Sequence, residues 1–316
     1  MRKIILFFFL CFLILIFERN ISFAKVLTLE EISAQIEILK TKILQLQKLL
    51  GELKSRKIYL ASEKLEQGDT LLVKVEGSSE KISGQFDSKE IDFLKFADGW
   101  LGIIGIDAKK KPGKYNLFIN FPDGSHFKKE INIVERKFPI QEFPITKEYP
   151  TPSKAMEDIS KTKLTLDKIF SIYTKVIYFD QSFIYPLEEI EIGGLSFGEI
   201  LKSKNFTIQH LGVDLKASRD TPIYAVNDGV VHFSENLGTY GKTLIIDHGF
   251  GIFSFYCHLN KFKVLKGKRV KRGDIIGYSG STGYATASHL HFSMKVNRTS
   301  IDPLRFIDIL EKEMIK

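Results

Sequence analysis

The first residues in this sequence with the types and spacing for chemistry are His289 and His291, in the run His289-Leu290-His291-Phe292-Ser293-Met294-Lys295-Val296. Its strict alternation predicts a strand with Leu290, Phe292, Met294 and Val296 buried and both histidines on the other face. Side chains two apart on a strand stand about 7 Å from each other, so one can hold a metal ion while the other meets a reacting group. The run Ser254-Phe255-Tyr256-Cys257-His258-Leu259 also alternates. It predicts Phe253, Phe255 and Cys257 on one face, with Cys257 a buried small hydrophobe, and Tyr256 and His258 together on a polar face, either as ordinary surface or as a hydrogen-bonding pair beside a site. A third segment is His210-Leu211-Gly212-Val213-Asp214-Leu215. Positions four apart on a regular strand are about 13 Å distant, too far to share an ion whose ligands lie about 2 Å from it. The chain must therefore bend between His210 and Asp214, and Gly212 is the residue expected to permit it. Each of these motifs alone is common by chance.

Together, His210, Asp214, His258, His289 and His291, in that order, resemble the zinc metallopeptidases of the lysostaphin and LytM type, peptidase family M23. The likeness runs from about residue 186 to 310. It includes Ser196-Phe197-Gly198, Thr221-Pro222-Ile223-Tyr224-Ala225, Asp228-Gly229-Val230-Val231 and Ile246-Asp247-His248-Gly249. Near the end it adds Gly280-Ser281-Thr282-Gly283 and Asp302-Pro303-Leu304. The resemblance implies that His210, Asp214 and His291 bind Zn2+, that His258 and His289 activate the substrate, and that the substrate is peptidoglycan, cut in its peptide stems or cross-bridges. Two imidazoles and one carboxylate suit that chemistry, since they leave a zinc site a fourth position for water. The sequence departs from the family in having Ala287 where a glycine is usual and Ser293 where an acid is frequent. The rival reading is a non-enzymatic regulator that activates other cell-wall hydrolases through a coiled coil; such proteins lack the ligands that are all present here.

The rest of the chain must position these residues. At 316 residues with 44% apolar and 27% charged side chains, it has room for two domains and excludes a polytopic membrane protein. Two cysteines exclude a disulfide scaffold and a thiolate zinc site. Arg2 and Lys3 precede an apolar run from Ile4 to Phe17, and Ser22-Phe23-Ala24 follows, which predicts a signal peptide over residues 1–24 or, failing cleavage, an anchor. Cleavage lowers the net charge from +8 to +6 and leaves Cys257 unpaired. It places the protein in the periplasm or cell envelope and argues against a nucleic-acid partner.

The following sequence predicts a mainly β architecture with α segments. Leu29, Ile32, Ile36, Leu39, Ile43, Leu46, Leu50 and Leu53 alternate three and four apart, a heptad seam for a coiled-coil helix over 25–60. It would pair with a second copy or a partner protein, or lie on a neighbouring part of the same chain. Short β runs broken by Pro112-Gly113 and Pro122-Asp123-Gly124 predict a small β-sandwich over 61–137. Four prolines mark a linker from 138 to 152, and Thr151-Pro152 opens a helix whose apolar spacing continues to Ile177, giving a linker and helix over 138–182. An antiparallel β peptidase domain is expected over 183–312. His248 is read as structural in a turn, and His126 and His232 as surface. The seven cations between Lys261 and Arg272 are either a solvated face or an attraction to anionic cell-wall polymer.

Overall fold

A computed structural model describes residues 28–142, 152–170, 174–203 and 207–314. The leader expected over residues 1–24 lies outside them. Among the described residues no helix is long and apolar enough to cross a membrane. The chain divides into two compact units, Met1–Ser55 and Arg56–Lys316.

Helix α1 (Leu29–Ser55) is the described part of the first unit. It begins on a capping box, in which the Glu31 N–H donates to Thr28 Oγ1 at 3.2 Å and the Thr28 N–H to Glu31 Oε2 at 2.9 Å. Its seam is in solvent, with Ile36, Leu39, Ile43 and Leu46 between 46% and 64% exposed.

The second unit opens with β1 (Lys57–Leu60), β2 (Lys64–Glu66), β3 (Thr70–Glu76), β4 (Ser83–Phe86), β5 (Lys89–Ile91), β6 (Leu94–Phe96), β7 (Gly99–Gly105), β8 (Gly113–Asn120) and β9 (His126–Val134). They form two sheets, β1-β3-β7-β6 and β2-β9-β8-β4-β5, antiparallel except where β2 meets β9. Alternating inward residues such as Leu71, Val73 and Val75 of one sheet and Leu117, Ile119 and Ile131 of the other close on one core. Leu72, Leu101 and Ile103 face the other way and join the core of the following domain, beside Phe197, Ile301 and Phe306. Arg305 bridges Glu66 and Asp69, and Arg136 Nη2 reaches Asp302 Oδ2 at 2.8 Å.

The span expected as a linker contributes a strand. Ile140–Glu142 forms β10, which pairs in parallel with β11 (Ile200–Lys202), and the Ile200 N–H donates to the Pro139 carbonyl at 2.9 Å. Helix α2 spans Pro152–Ile169 and stops eight residues before Ile177. Phe170 leaves the helix to lie 5.0 Å from both Phe253 and Phe255. Thr174 is then tied to the Asp247 carboxylate, while Ile177 bridges Gly249. The β-branched residues Thr174, Val176 and Ile177 thus lie outside the helix, where the segment docks on the 247–250 turn.

The remaining strands are β12 (Thr207–Gln209), β13 (Val213–Lys216), β14 (Pro222–Tyr224), β15 (Gly229–Asn236), β16 (Lys242–Asp247), β17 (Ile252–Cys257), β18 (Lys261–Phe262), β19 (Arg269–Val270), β20 (Ile275–Tyr278), β21 (His289–Val296) and β22 (Thr299–Ile301). The main sheet runs β13-β21-β17-β16-β15-β19, antiparallel throughout, with β22 on β21. One face buries Tyr256, Leu290, Phe292, Met294 and Val296 in the large core. The other carries Phe253, Phe255 and Cys257 under Phe170. Asp302 caps helix α3 (Pro303–Met314) by accepting the Leu304 N–H at 3.1 Å, with Pro303 at its first position, which accounts for the Asp302-Pro303-Leu304 motif.

Candidate active site

The five residues converge at one end of the main sheet. Asp214 on β13 is the cross-strand partner of His291 on β21, which in turn pairs with Cys257 on β17. His210 Nε2, Asp214 Oδ1 and His291 Nδ1 form a triangle with edges of 2.9, 2.9 and 3.2 Å. A tetrahedral zinc site with bonds of about 2.0–2.1 Å has ligand-to-ligand edges of about 3.3 Å, so these atoms fit one face of such a site and leave the fourth corner to another group. The donors also suit the ion: two imidazoles and one carboxylate, all largely enclosed.

Burial alone would raise the Asp214 carboxyl, but hydrogen bonds from His210 and His291 outweigh it and hold the group well below the usual carboxylate range. Burial would lower His210, and its bond to Asp214 raises it instead. Burial lowers His291. The Leu195 N–H completes the Asp214 environment, donating to Oδ2 at 3.2 Å.

The bend between His210 and Asp214 occurs after β12, and Gly212 does sit in it, but for a different reason from the one its type suggests. Its φ is not positive. A Cβ there would lie 2.7 Å from His291 Cε1 and Nε2 and 2.8 Å from the Phe292 carbonyl oxygen. The missing side chain is the space the His291 ring occupies.

His258 departs from the alternation reading. Tyr256 lies in the large core, fully buried, accepting the Val226 N–H at 3.0 Å and lying 3.0 Å from Ser254 Oγ. Continued alternation would send His258 to that same side. Instead the strand ends at Cys257 and His258 takes a left-handed φ of 60°. That conformation is costly for a residue with a Cβ, and it turns the ring to the face of His291. His258 and His289 rings are 4.7 Å apart, and His258 and His291 rings 5.9 Å. Burial pulls His258 down to about 3, so its imidazole is neutral.

Three histidines share one anchoring device. His210 Nδ1 donates to the Ser196 carbonyl at 3.0 Å, His258 Nδ1 to Thr282 at 2.7 Å and His289 Nδ1 to Ala287 at 2.9 Å. Each bond fixes the ring and leaves Nε2 as the free nitrogen toward the centre of the site. The motifs around Ser196 and Thr282 therefore supply carbonyls rather than side chains. Thr282 is fixed by backbone contact, since Gly241 at φ 61° and Gly283 at φ 77° pack against each other with no room for a Cβ.

Tyr240 joins the site although no motif in the sequence announces it. Its ring lies 5.4 Å from that of His291, and its carbonyl accepts the His258 N–H at 3.0 Å. The glycines on either side of Thr239-Tyr240 were the available signal for a tight turn. Ser293, where the family frequently has an acid, is buried on the face of β21 that carries His291, opposite Phe255. Cys257 is fully buried, its thiol pushed up to about 12 by burial, which makes it inert. His248 is also fully buried, 2.7 Å from both the Asp228 carbonyl and Ser254 Oγ. His232 is not plain surface: its Nε2 donates to the Ile169 carbonyl at the end of α2 at 3.0 Å.

Residues 208–303 match the family model described as peptidase family M23. This chain carries an M23 domain. Over 95 residues the chain is 38% identical to the DD-carboxypeptidase/endopeptidase Mpg of Neisseria meningitidis, covering 30% of this chain and 22% of that one. Over 104 residues it is 40% identical to the glycyl-glycine endopeptidase ALE-1 of Staphylococcus capitis, covering 31% and 29%. The chain thus spans less than a third of either relative. A Pseudomonas aeruginosa structure assigned to peptidase M23 superposes with a TM-score of 0.53 at 22% identity, covering 73% of this chain and 88% of that one. At that identity the likeness concerns the fold, and its 73% coverage exceeds the residues matched by the family model.

Proposed function

We propose that the protein is an exported zinc metalloendopeptidase that hydrolyses the peptide stems or cross-bridges of peptidoglycan. The observation that carries this is the ligand triangle of His210, Asp214 and His291 with two further histidine Nε2 atoms beside it. A Zn2+ ion held by those three residues supplies a Lewis acid that polarises a carbonyl and lowers the pKa of water. Attack of water on the scissile carbonyl releases a proton, and Nε2 of His258 or His289, each with Nδ1–H committed to a backbone carbonyl, is placed to accept it. The protonated ring, which now carries an Nε2–H, then returns that proton to the departing amine. Peptidoglycan as the substrate rests on the names of the M23 relatives.

Export rests on the apolar run from Ile4 to Phe17 and the Ser22-Phe23-Ala24 cleavage signal, and places the mature chain in the periplasm or cell envelope. The seam of α1 supports pairing with a second copy, since Ile36 and Ile43 at a with Leu39 and Leu46 at d is the pattern of a two-stranded parallel coiled coil. A regulator acting only through that helix has no use for a metal triangle, and the geometry favours the enzyme. Digestion of purified peptidoglycan by the mature chain, with fragments identified by mass, tests the reading. New amino termini at one type of peptide bond support it, and an intact polymer with zinc-loaded protein overturns it.

A further inference from the structure

The far edge of the main sheet carries a surface that the peptidase chemistry does not use. β19 lies five strands from β13, so at about 4.8 Å per strand it is roughly 24 Å from Asp214 along the sheet. From Lys261 to Asp274 the sequence has seven cations and one carboxylate. Two tight turns flank β19: the Lys268 N–H donates to the Leu265 carbonyl at 3.1 Å, and the Asp274 N–H to the Lys271 carbonyl at 2.9 Å. Gly267 at φ 87° and Gly273 at φ 84° hold the position that favours glycine in a type II turn. The Lys266 N–H donates to Ser234 Oγ at 2.9 Å and the Gly267 N–H to the Val231 carbonyl at 2.8 Å, which ties the first turn to β15.

The backbone is held while the side chains stand free. Lys263, Lys266, Lys268 and Lys271 are exposed and, among the described residues, none has a carboxylate within ion-pair distance. Lys261 approaches Asp220 at 3.8 Å, and Arg269 lies over the Tyr178 ring at 5.4 Å. Between these lysines Leu265 is 65% exposed at the turn. Lysines on an edge strand deter pairing with another sheet, which would account for the charge. It does not account for the leucine, which offers nothing to edge protection or to a purely polar anionic polymer. At an anionic bilayer both have a place: the apolar tip enters the acyl boundary and the lysine stems snorkel to the phosphates.

We propose that the Leu265–Lys268 turn with Lys261, Lys263 and Lys271 docks on an anionic phospholipid membrane and holds the M23 domain there with its catalytic end on the opposite edge of the sheet. The proposal stands apart from the peptidase reading and does not need it. The test is co-sedimentation of the chain from Lys25, the mature form proposed above, with phosphatidylcholine vesicles with and without phosphatidylglycerol. Binding is expected only to the anionic vesicles and to fall at 1 M salt, where the screening length is about 3 Å. Lys263→Glu with Lys266→Glu and Lys268→Glu should weaken it at least about tenfold, and Leu265→Ser about fivefold, with zinc content and thermal midpoint unchanged. Equal binding by the triple variant, or undiminished binding after Leu265→Ser, overturns it; the second result leaves charge alone, and retention on immobilised polyphosphate would then identify a polar anionic polymer as the partner.

Discussion

Asp214 and His291 stand directly opposite each other in the β13–β21 ladder, and that pairing brings Asp214 Oδ1 to 2.9 Å from His291 Nδ1. A slip of one residue between these strands would turn one of them into the core, because side chains alternate with period two. The buried run Leu290, Phe292, Met294 and Val296 prevents the slip. The apolar face of β21 therefore sets the geometry of its polar face.

Metal content follows from the triangle. The mature protein should bind about one zinc per chain, and His291→Ala should lose most of it, because two remaining ligands hold zinc weakly. Metal analysis of the purified variant decides this; full occupancy would exclude His291 as a ligand.

Binding and chemistry should separate at the other two histidines. His289→Ala and His258→Asn are expected to retain zinc while hydrolysis of peptidoglycan drops about a hundredfold or more. Asparagine is chosen because it tolerates the left-handed φ of 60° at residue 258 better than alanine. If both variants cleave at the wild-type rate, the pair is structural.

Gly212→Ala probes the space beneath His291. The added methyl would lie 2.7 Å from two ring atoms. Overpacking of this kind costs about 1–3 kcal/mol, and displacement of the ring should weaken zinc binding about tenfold or more. Competition with a chelator measures the affinity, and an unchanged value would show that the ring moves freely.

Acid sensitivity should trace in part to His248. Burial pushes this imidazole down to about 4 from an ordinary 6.5. The unfolded chain therefore binds a proton that the folded chain refuses between those values, so the stability associated with neutral His248 is full above about 6.5 and declines as pH falls toward 4. The shift corresponds to something on the order of 3 kcal/mol. His248→Gln, which does not titrate, should flatten denaturation midpoints between pH 7 and pH 4 relative to wild type. Identical slopes would move the acid sensitivity elsewhere.

The α1 seam should determine association. Ile36→Lys with Ile43→Lys is expected to convert a dimer to a monomer in sedimentation and leave zinc content unchanged, each buried isoleucine being worth roughly 1.5–3 kcal/mol. A wild-type chain that is monomeric at tens of micromolar, about the range in which a short coiled coil associates, would rule out pairing between copies.

The sequence by itself determined the strand of His289 and His291, the bend between His210 and Asp214, and the helix of the heptad seam. These are local: alternation, a glycine at a necessary break and a repeat of three and four are visible without knowing what lies nearby. Composition and spacing could not decide how His210, Asp214 and His291 meet, which depends on the pairing of β13, β21 and β17. Nor could they place His258, where a single left-handed residue overrides the period of its strand, or Tyr240, whose role exists only because a turn folds over His291. The end of α2 belongs with these. Its apolar spacing runs on to Ile177, yet the helix stops where Phe170 finds the sheet, because burying that ring against Phe253 and Phe255 is worth more than another helical turn.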